Sequence, residues 1–274
     1  NVLSGVSLDG KSFFYPNPLS ADGTYTRQEW FECSCCPTNL CRFLSSVTGY
    51  IYAQNENNIY VNLFIASSTS VKIDKNIELT VNPKVKNKFS VRLRIPGWAV
   101  NQPVPSDLYS YINAQKSDYK LLVNGKEFSA TEEKGYVIID RIWKKGDKIS
   151  YQLPMEIKRT ISNENVVANR GLVSLERGPL LYCIESTDND FDVNQYIIPD
   201  NANLKLMFDK EKFSGINVIQ GEGIAIKSSN DNLSLSSEKK SFTAIPYNVW
   251  DNRNAAKMRV WLPRNVNQFK LSEE

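Results

Sequence analysis

Three of the five cysteines, Cys33, Cys35 and Cys36, fall within four residues in the run Cys33-Ser34-Cys35-Cys36-Pro37-Thr38-Asn39. A packing cysteine usually stands alone as a small apolar residue, whereas crowded sulfurs bind a soft metal, form a disulfide, or do redox or nucleophilic work. Adjacent cysteines bridge poorly because the ring is strained. A Cys33 to Cys36 bridge would be redox chemistry without the βαβ setting that usually carries it. A self-contained zinc knuckle needs four ligands, and the chain has no histidine and no second Cys-x-x-Cys cluster. Any metal held here is therefore expected to take further ligands from outside this sequence. Cys41, and Cys183 within Leu180-Leu181-Tyr182-Cys183-Ile184, read as buried packing residues.

The element that positions the sulfurs is a helix. Leu40, Phe43, Leu44 and Val47 stand at i, i+3, i+4 and i+7, one apolar stripe that stops near Gly49. Pro37 suits the first turn, where its missing N–H costs nothing, which places Cys36 at the N-cap and Cys35 just before it. Unpaired N–H groups and the helix dipole there favour thiolate over thiol by ~0.3–1 kcal/mol. A divalent cation does more, because zinc deprotonates a coordinating thiol outright.

Composition narrows the classes. The 274 residues are 41% hydrophobic and 23% charged, ordinary for a folded chain long enough for about two domains. A net charge of +3, from 33 basic and 30 acidic residues without a basic block, gives no footprint for nucleic acid. No apolar run is long enough to span a membrane, so no membrane partner is expected. The first residue is Asn1, without the features of a signal peptide, which reads as a piece of a longer polypeptide and leaves the compartment open.

Three regions follow. Residues 1–50 are loop-rich, with strand-like runs at Val2 to Leu8 and Ser12 to Tyr15 and then the cysteine helix. One helix closes no core, which points to further structure upstream. From 51 to 159 the period is two: Ile59, Val61, Leu63 and Ile65, then Phe89, Val91, Leu93 and Ile95, read as half-buried strands. Asn124-Gly125 marks a hairpin, and Val137 to Trp143 turns at Lys145-Gly146-Asp147 into Ile149, Tyr151 and Leu153. Residues 160–274 form a second β region, broken at Arg177-Gly178-Pro179, with Met258, Val260 and Leu262 alternating and polar loops at Asp188 to Asp192 and Ser228 to Lys240. Strands without intervening helices predict a mainly β chain of two tandem antiparallel sandwiches of the jelly-roll kind. Tryptophans 98, 143, 250 and 261 suit the cores of those regions.

These residues resemble a known family. Leu3-Ser4-Gly5-Val6-Ser7-Leu8-Asp9-Gly10, Phe13-Phe14-Tyr15-Pro16-Asn17-Pro18-Leu19, Trp30 and the double-cysteine run are similar to glycoside hydrolase families 127 and 146, the β-L-arabinofuranosidase-like enzymes. Leu93-Arg94-Ile95-Pro96-Gly97-Trp98, Arg141-Ile142-Trp143, Arg177-Gly178-Pro179 and Ala244-Ile245-Pro246-Tyr247 extend the resemblance along the chain. It implies that residues 1–50 are the last part of an (α/α)6 catalytic barrel, followed by the two sandwiches. It further implies that Cys35 is a catalytic nucleophile and zinc ligand, that Cys36 is a second zinc ligand, and that an upstream Glu-x-Cys pair completes the site. Tyr15 and Asn17 would line the sugar pocket, or serve turn packing around Pro16 and Pro18, which explains them equally well. The implied partner is an oligosaccharide or plant polysaccharide bearing terminal L-arabinofuranose, with homodimerisation through the sandwiches. The competing class is a non-catalytic β-sandwich module for carbohydrate binding or assembly, in which the cysteines are structural.

Overall fold

Strands dominate the chain because its apolar residues recur with period two nearly throughout. The computed structural model describes residues 5–33, 35–55, 57–65, 76–112, 118–228 and 235–268. The first residues of the expected Val2 to Leu8 run, and Ser34 within the cysteine run, lie outside them. The mainly β class read from the sequence is the one that forms. Two compact units appear, each built from separated stretches of chain.

One unit takes in residues 37–102 and 115–155. Its five-stranded sheet runs Tyr52–Asn55, Asn58–Val61, Asn87–Arg94, Tyr136–Trp143, Thr131–Glu133, and its four-stranded sheet runs Asn76–Val81, Asp147–Gln152, Lys120–Val123, Lys126–Glu127. Val61, Val91, Leu93, Val137, Ile139 and Trp143 from the first pack with Leu79, Leu121, Val123, Ile149 and Tyr151 from the second in one core. Each such buried side chain contributes roughly 1.5–3 kcal/mol. Trp143 is fully buried and its indole N–H donates to the Phe89 carbonyl at 2.9 Å. The Lys145-Gly146 turn joins strands of different sheets, so it carries the chain across the sandwich. At Asn124-Gly125 both residues have positive φ, 52° and 78°, as the tight hairpin there demands. Asn58–Val61 pairs in parallel with Asn87–Arg94, an exception to the antiparallel expectation, and it ends at Val61, so Leu63 and Ile65 lie beyond the strand.

The other unit joins residues 1–36, 103–114 and 156–274. Residues 103–114 and the strand Ile157–Ser162 thus belong with the C-terminal β region, where Thr160 pairs with both Tyr111 and Ser174. The eleven-stranded sheet is buried on both faces at its centre. Tyr182 and Ile184 join one apolar cluster while Cys183 joins another, which is why Leu180 to Ile184 is continuously apolar. Arg177-Gly178-Pro179 is the turn between Leu172–Arg177 and Leu180–Glu185. The expected loop at Ser228 to Lys240 is strand at Ser228 and again from Leu235 to Lys240, with residues 229–234 outside the described residues; Ile216–Ser228 and Leu235–Pro246 form one long two-stranded ribbon, with Ser228 opposite Leu235. Trp250 and Trp261 are buried, whereas Trp30 is exposed.

Among the described residues no helix is long and apolar enough to cross a membrane.

Candidate active site

The helix carrying the sulfurs spans Cys35–Ser46, two residues earlier than the Pro37 position suggests, so Cys35 and Cys36 lie in its first turn rather than at and before its cap. Its N–H groups there lack helical partners and face the thiol end of the turn. In the apolar stripe Phe43 and Leu44 are exposed while Leu40 and Val47 are half-buried, and Cys41, expected to be buried, is exposed as well. Cys183 is buried, as its apolar neighbours imply.

Cys33, Cys35 and Cys36 form no disulfide and are exposed. The Sγ atoms of Cys33 and Cys35 are 3.7 Å apart, and those of Cys35 and Cys36 3.8 Å apart. Cys35 is the shared centre. The hydroxyl of Tyr15 lies 3.0 Å from Cys35 Sγ and 4.0 Å from Cys33 Sγ. Hydrogen bonding from Tyr15 first, then from Cys33 and Cys36, holds the Cys35 thiol below the usual thiol range. The same contact raises the Tyr15 phenol well above its ordinary value, so Tyr15 keeps its proton and is the hydrogen-bond donor to a Cys35 thiolate.

The sulfur spacing suits zinc. With Zn–S bonds of about 2.3 Å, two thiolates of a tetrahedral site stand about 3.8 Å apart. Both measured separations match that edge. Among the described residues, however, no group of three or more Cys, His, Asp or Glu forms a complete metal site. The cysteines by themselves fit as no more than a partial donor set.

The structure brings Tyr15 to the sulfurs as a thiol partner. Asn17 is exposed two residues on, its amide oxygen beside Gly5. Cys33 was not among the predicted site residues, although the crowding of Cys33 with Cys35 and Cys36 in the sequence was its signal. Phe31 extends the aromatic wall, 5.5 Å from the Tyr15 ring and 5.2 Å from Phe13. Glu29 and Glu32 are exposed.

Three models of one family match consecutive stretches of the chain: the GH127 β-L-arabinofuranosidase catalytic domain over residues 1–49, the GH127 middle domain over 47–155, and the family 127 C-terminal domain over 157–263. The chain belongs to glycoside hydrolase family 127. The sulfur cluster falls within the stretch matched by the family's catalytic-domain model. The chain is similar to a non-reducing end β-L-arabinofuranosidase of Bifidobacterium longum subsp. longum, 29% identical over 96% of this chain and 43% of that protein. It also resembles a solved GH127 β-arabinofuranosidase at 36% identity and TM-score 0.88, covering 98% of this chain and 44% of that one. A GH127 β-L-arabinofuranosidase from Geobacillus stearothermophilus matches at 31% identity and TM-score 0.80, over 95% of this chain and 44% of that one. The chain thus spans less than half the length of these GH127 relatives.

Proposed function

We propose that the polypeptide to which this chain belongs is a retaining β-L-arabinofuranosidase with Cys35 as its nucleophile. The observation that carries this reading is the Tyr15 hydroxyl 3.0 Å from an exposed Cys35 thiol, inside the stretch that matches the family's catalytic domain. Cys35 and Cys36 would hold a zinc ion, with upstream donors completing it. That ion supplies a field that favours thiolate over thiol.

The reaction is a double displacement. The Cys35 sulfur attacks the anomeric carbon; the S–C bond forms as the glycosidic C–O bond breaks, and the departing oxygen takes a proton from a carboxylic acid in the upstream region. Water then attacks the same carbon, gives its proton to that carboxylate, and Cys35 leaves as thiolate. Two inversions return the original configuration. Tyr15 orients the sulfur by donating to one of its lone pairs, which leaves another to point at the sugar, and Asn17 would meet a sugar hydroxyl. The substrate is a terminal L-arabinofuranoside of an oligosaccharide or plant polysaccharide.

A structural role for the cysteines as a cross-link would call for a bridge, and none of the three forms one. In the full-length protein, Cys35→Ser should abolish release of arabinose from an aryl β-L-arabinofuranoside, and NMR of the first-formed product should show the β anomer. Wild-type turnover that survives Cys35→Ser, or an α product, would sink the reading.

A further inference from the structure

Tyr15 reaches Cys35 from a segment whose footing lies in the last part of the chain. Phe14 and Tyr15 point opposite ways, Phe14 buried and Tyr15 out toward the sulfurs. The Phe14 ring is stacked on Trp250, with centroids 4.7 Å apart and an 8° interplanar angle, and on Tyr25 at 5.2 Å and 11°. The Arg27 guanidinium lies 4.4 Å from the Phe14 centroid. Its Nη1 donates to the carbonyls of Trp250 at 2.6 Å and Asp251 at 2.7 Å, and its Nε donates to the Gly5 carbonyl at 3.3 Å. That Gly5 oxygen also accepts the Phe14 backbone N–H at 2.8 Å. One buried guanidinium therefore joins the backbone next to Tyr15 to residues 250 and 251.

The acceptor side is itself fixed at a cost. Asp251 has φ 52°, the left-handed region, and is tied down three ways: its N–H donates to Glu185 Oε1 at 3.0 Å, its Oδ2 accepts the Arg27 N–H at 3.1 Å, and its carboxylate is ion-paired with Arg27. Left-handed backbone outside glycine persists where the surroundings over-determine it, and such sites cluster where geometry matters to function. Stacking, cation–π contact and three carbonyl acceptors converge on this one segment.

We propose that Arg27 and Trp250 form a positioning clamp that sets the Tyr15 hydroxyl on Cys35 Sγ, making the C-terminal β region a working part of the active site. The inference deepens the glycosidase reading and rests on it for catalysis, but its geometric content does not. A misplacement near 1 Å at a reacting atom can cost about a hundredfold in rate.

The test is a double-mutant cycle on the full-length protein with Arg27→Gln, Tyr15→Phe and both together, scored by kcat, by KM and by the iodoacetamide rate at Cys35. If the clamp acts through Tyr15, Arg27→Gln lowers kcat about tenfold with KM little changed, and the double variant is no slower than Tyr15→Phe alone, since residues acting as one unit are not additive. Phe242→Leu, in the core of the same unit but away from this segment, serves as the control that lowers Tm without altering Cys35 alkylation. Additive losses, or Cys35 reactivity that follows Tm equally in Arg27→Gln and Phe242→Leu, would overturn the clamp. If the wild-type protein releases no arabinose, the glycosidase reading falls, and the alkylation arm alone still decides the clamp.

Discussion

The Tyr15 hydroxyl and the Cys35 sulfur form a 3.0 Å contact across twenty residues of chain. Because Tyr15 stabilises the thiolate more than the thiol, it is the leading cause of the lowered Cys35 pKa. In chelator-treated protein, Tyr15→Phe should move the midpoint of Cys35 alkylation to higher pH, measured by iodoacetamide labelling followed by peptide mass spectrometry. An unshifted midpoint would show that the phenol does not tune the sulfur.

The three sulfurs should differ in their hold on metal. Cys36→Ser is expected to lose bound zinc from the full-length protein, whereas Cys33→Ser, whose sulfur meets Cys35 but is not required by the two-ligand arrangement, should retain most of it. Zinc-to-protein ratios by plasma emission check this. Equal loss in both variants would make Cys33 a ligand.

Much of this site was legible in the residues, and the remainder was not for physical reasons. Cysteine crowding and a helical stripe located the sulfurs, but spacing cannot say which neighbour donates to which, and so Tyr15 read as a pocket residue rather than a thiol partner. The Leu40 to Val47 stripe gave the helix correctly, whereas Cys41 read as buried and is exposed, because residue type does not report what covers a side chain. Alternation at Phe89 to Ile95 and Val137 to Trp143 identified strands whose Val91, Leu93, Val137 and Ile139 are buried. Leu235 to Lys240 escaped because the ribbon is exposed there, leaving no buried side to impose alternation. The pairing of residues 109–111 with Ile157–Ser162 was equally hidden, since a three-residue strand has too few positions for a pattern.

Asp147 should contribute an acid-labile share of stability. Its buried carboxylate accepts the Lys144 N–H and the Asn124 amide, both at 2.9 Å, and these bonds, Lys144 first, lower its pKa below the usual 3.8. A folded-state pKa below the unfolded one means the stabilisation is full above the unfolded value and is lost as pH falls through the folded one. Asp147→Ala should therefore cost about 1–3 kcal/mol at neutral pH by stranding both donors. Urea titrations at pH 7 and pH 3 should show that deficit shrinking in acid; a constant deficit would refute the linkage.

Gly223 should tolerate no side chain. A Cβ there would stand 2.6 Å from Tyr196 Oη and closer still to the Ile197 carbonyl oxygen. Backbone oxygen cannot swing aside, so Gly223→Ala should force Tyr196–Ile197 off its pairing with Ile224 and Ala225. The expected loss is about 3 kcal/mol or more, read from thermal unfolding, and a melting curve like the wild type would contradict it.

The Arg27 grip on Trp250, like the bond from the Leu8 N–H to Asn252, closes a span of more than two hundred residues. During synthesis the cysteines leave the ribosome long before the tryptophan that seats their neighbour. Assembly of the reactive thiol is thus among the late events of maturation, and a nascent chain exposes its sulfurs before their tyrosine partner is in place. Ribosomes stalled short of residue 250 would display a cysteine cluster with unpoised, ordinary thiol reactivity.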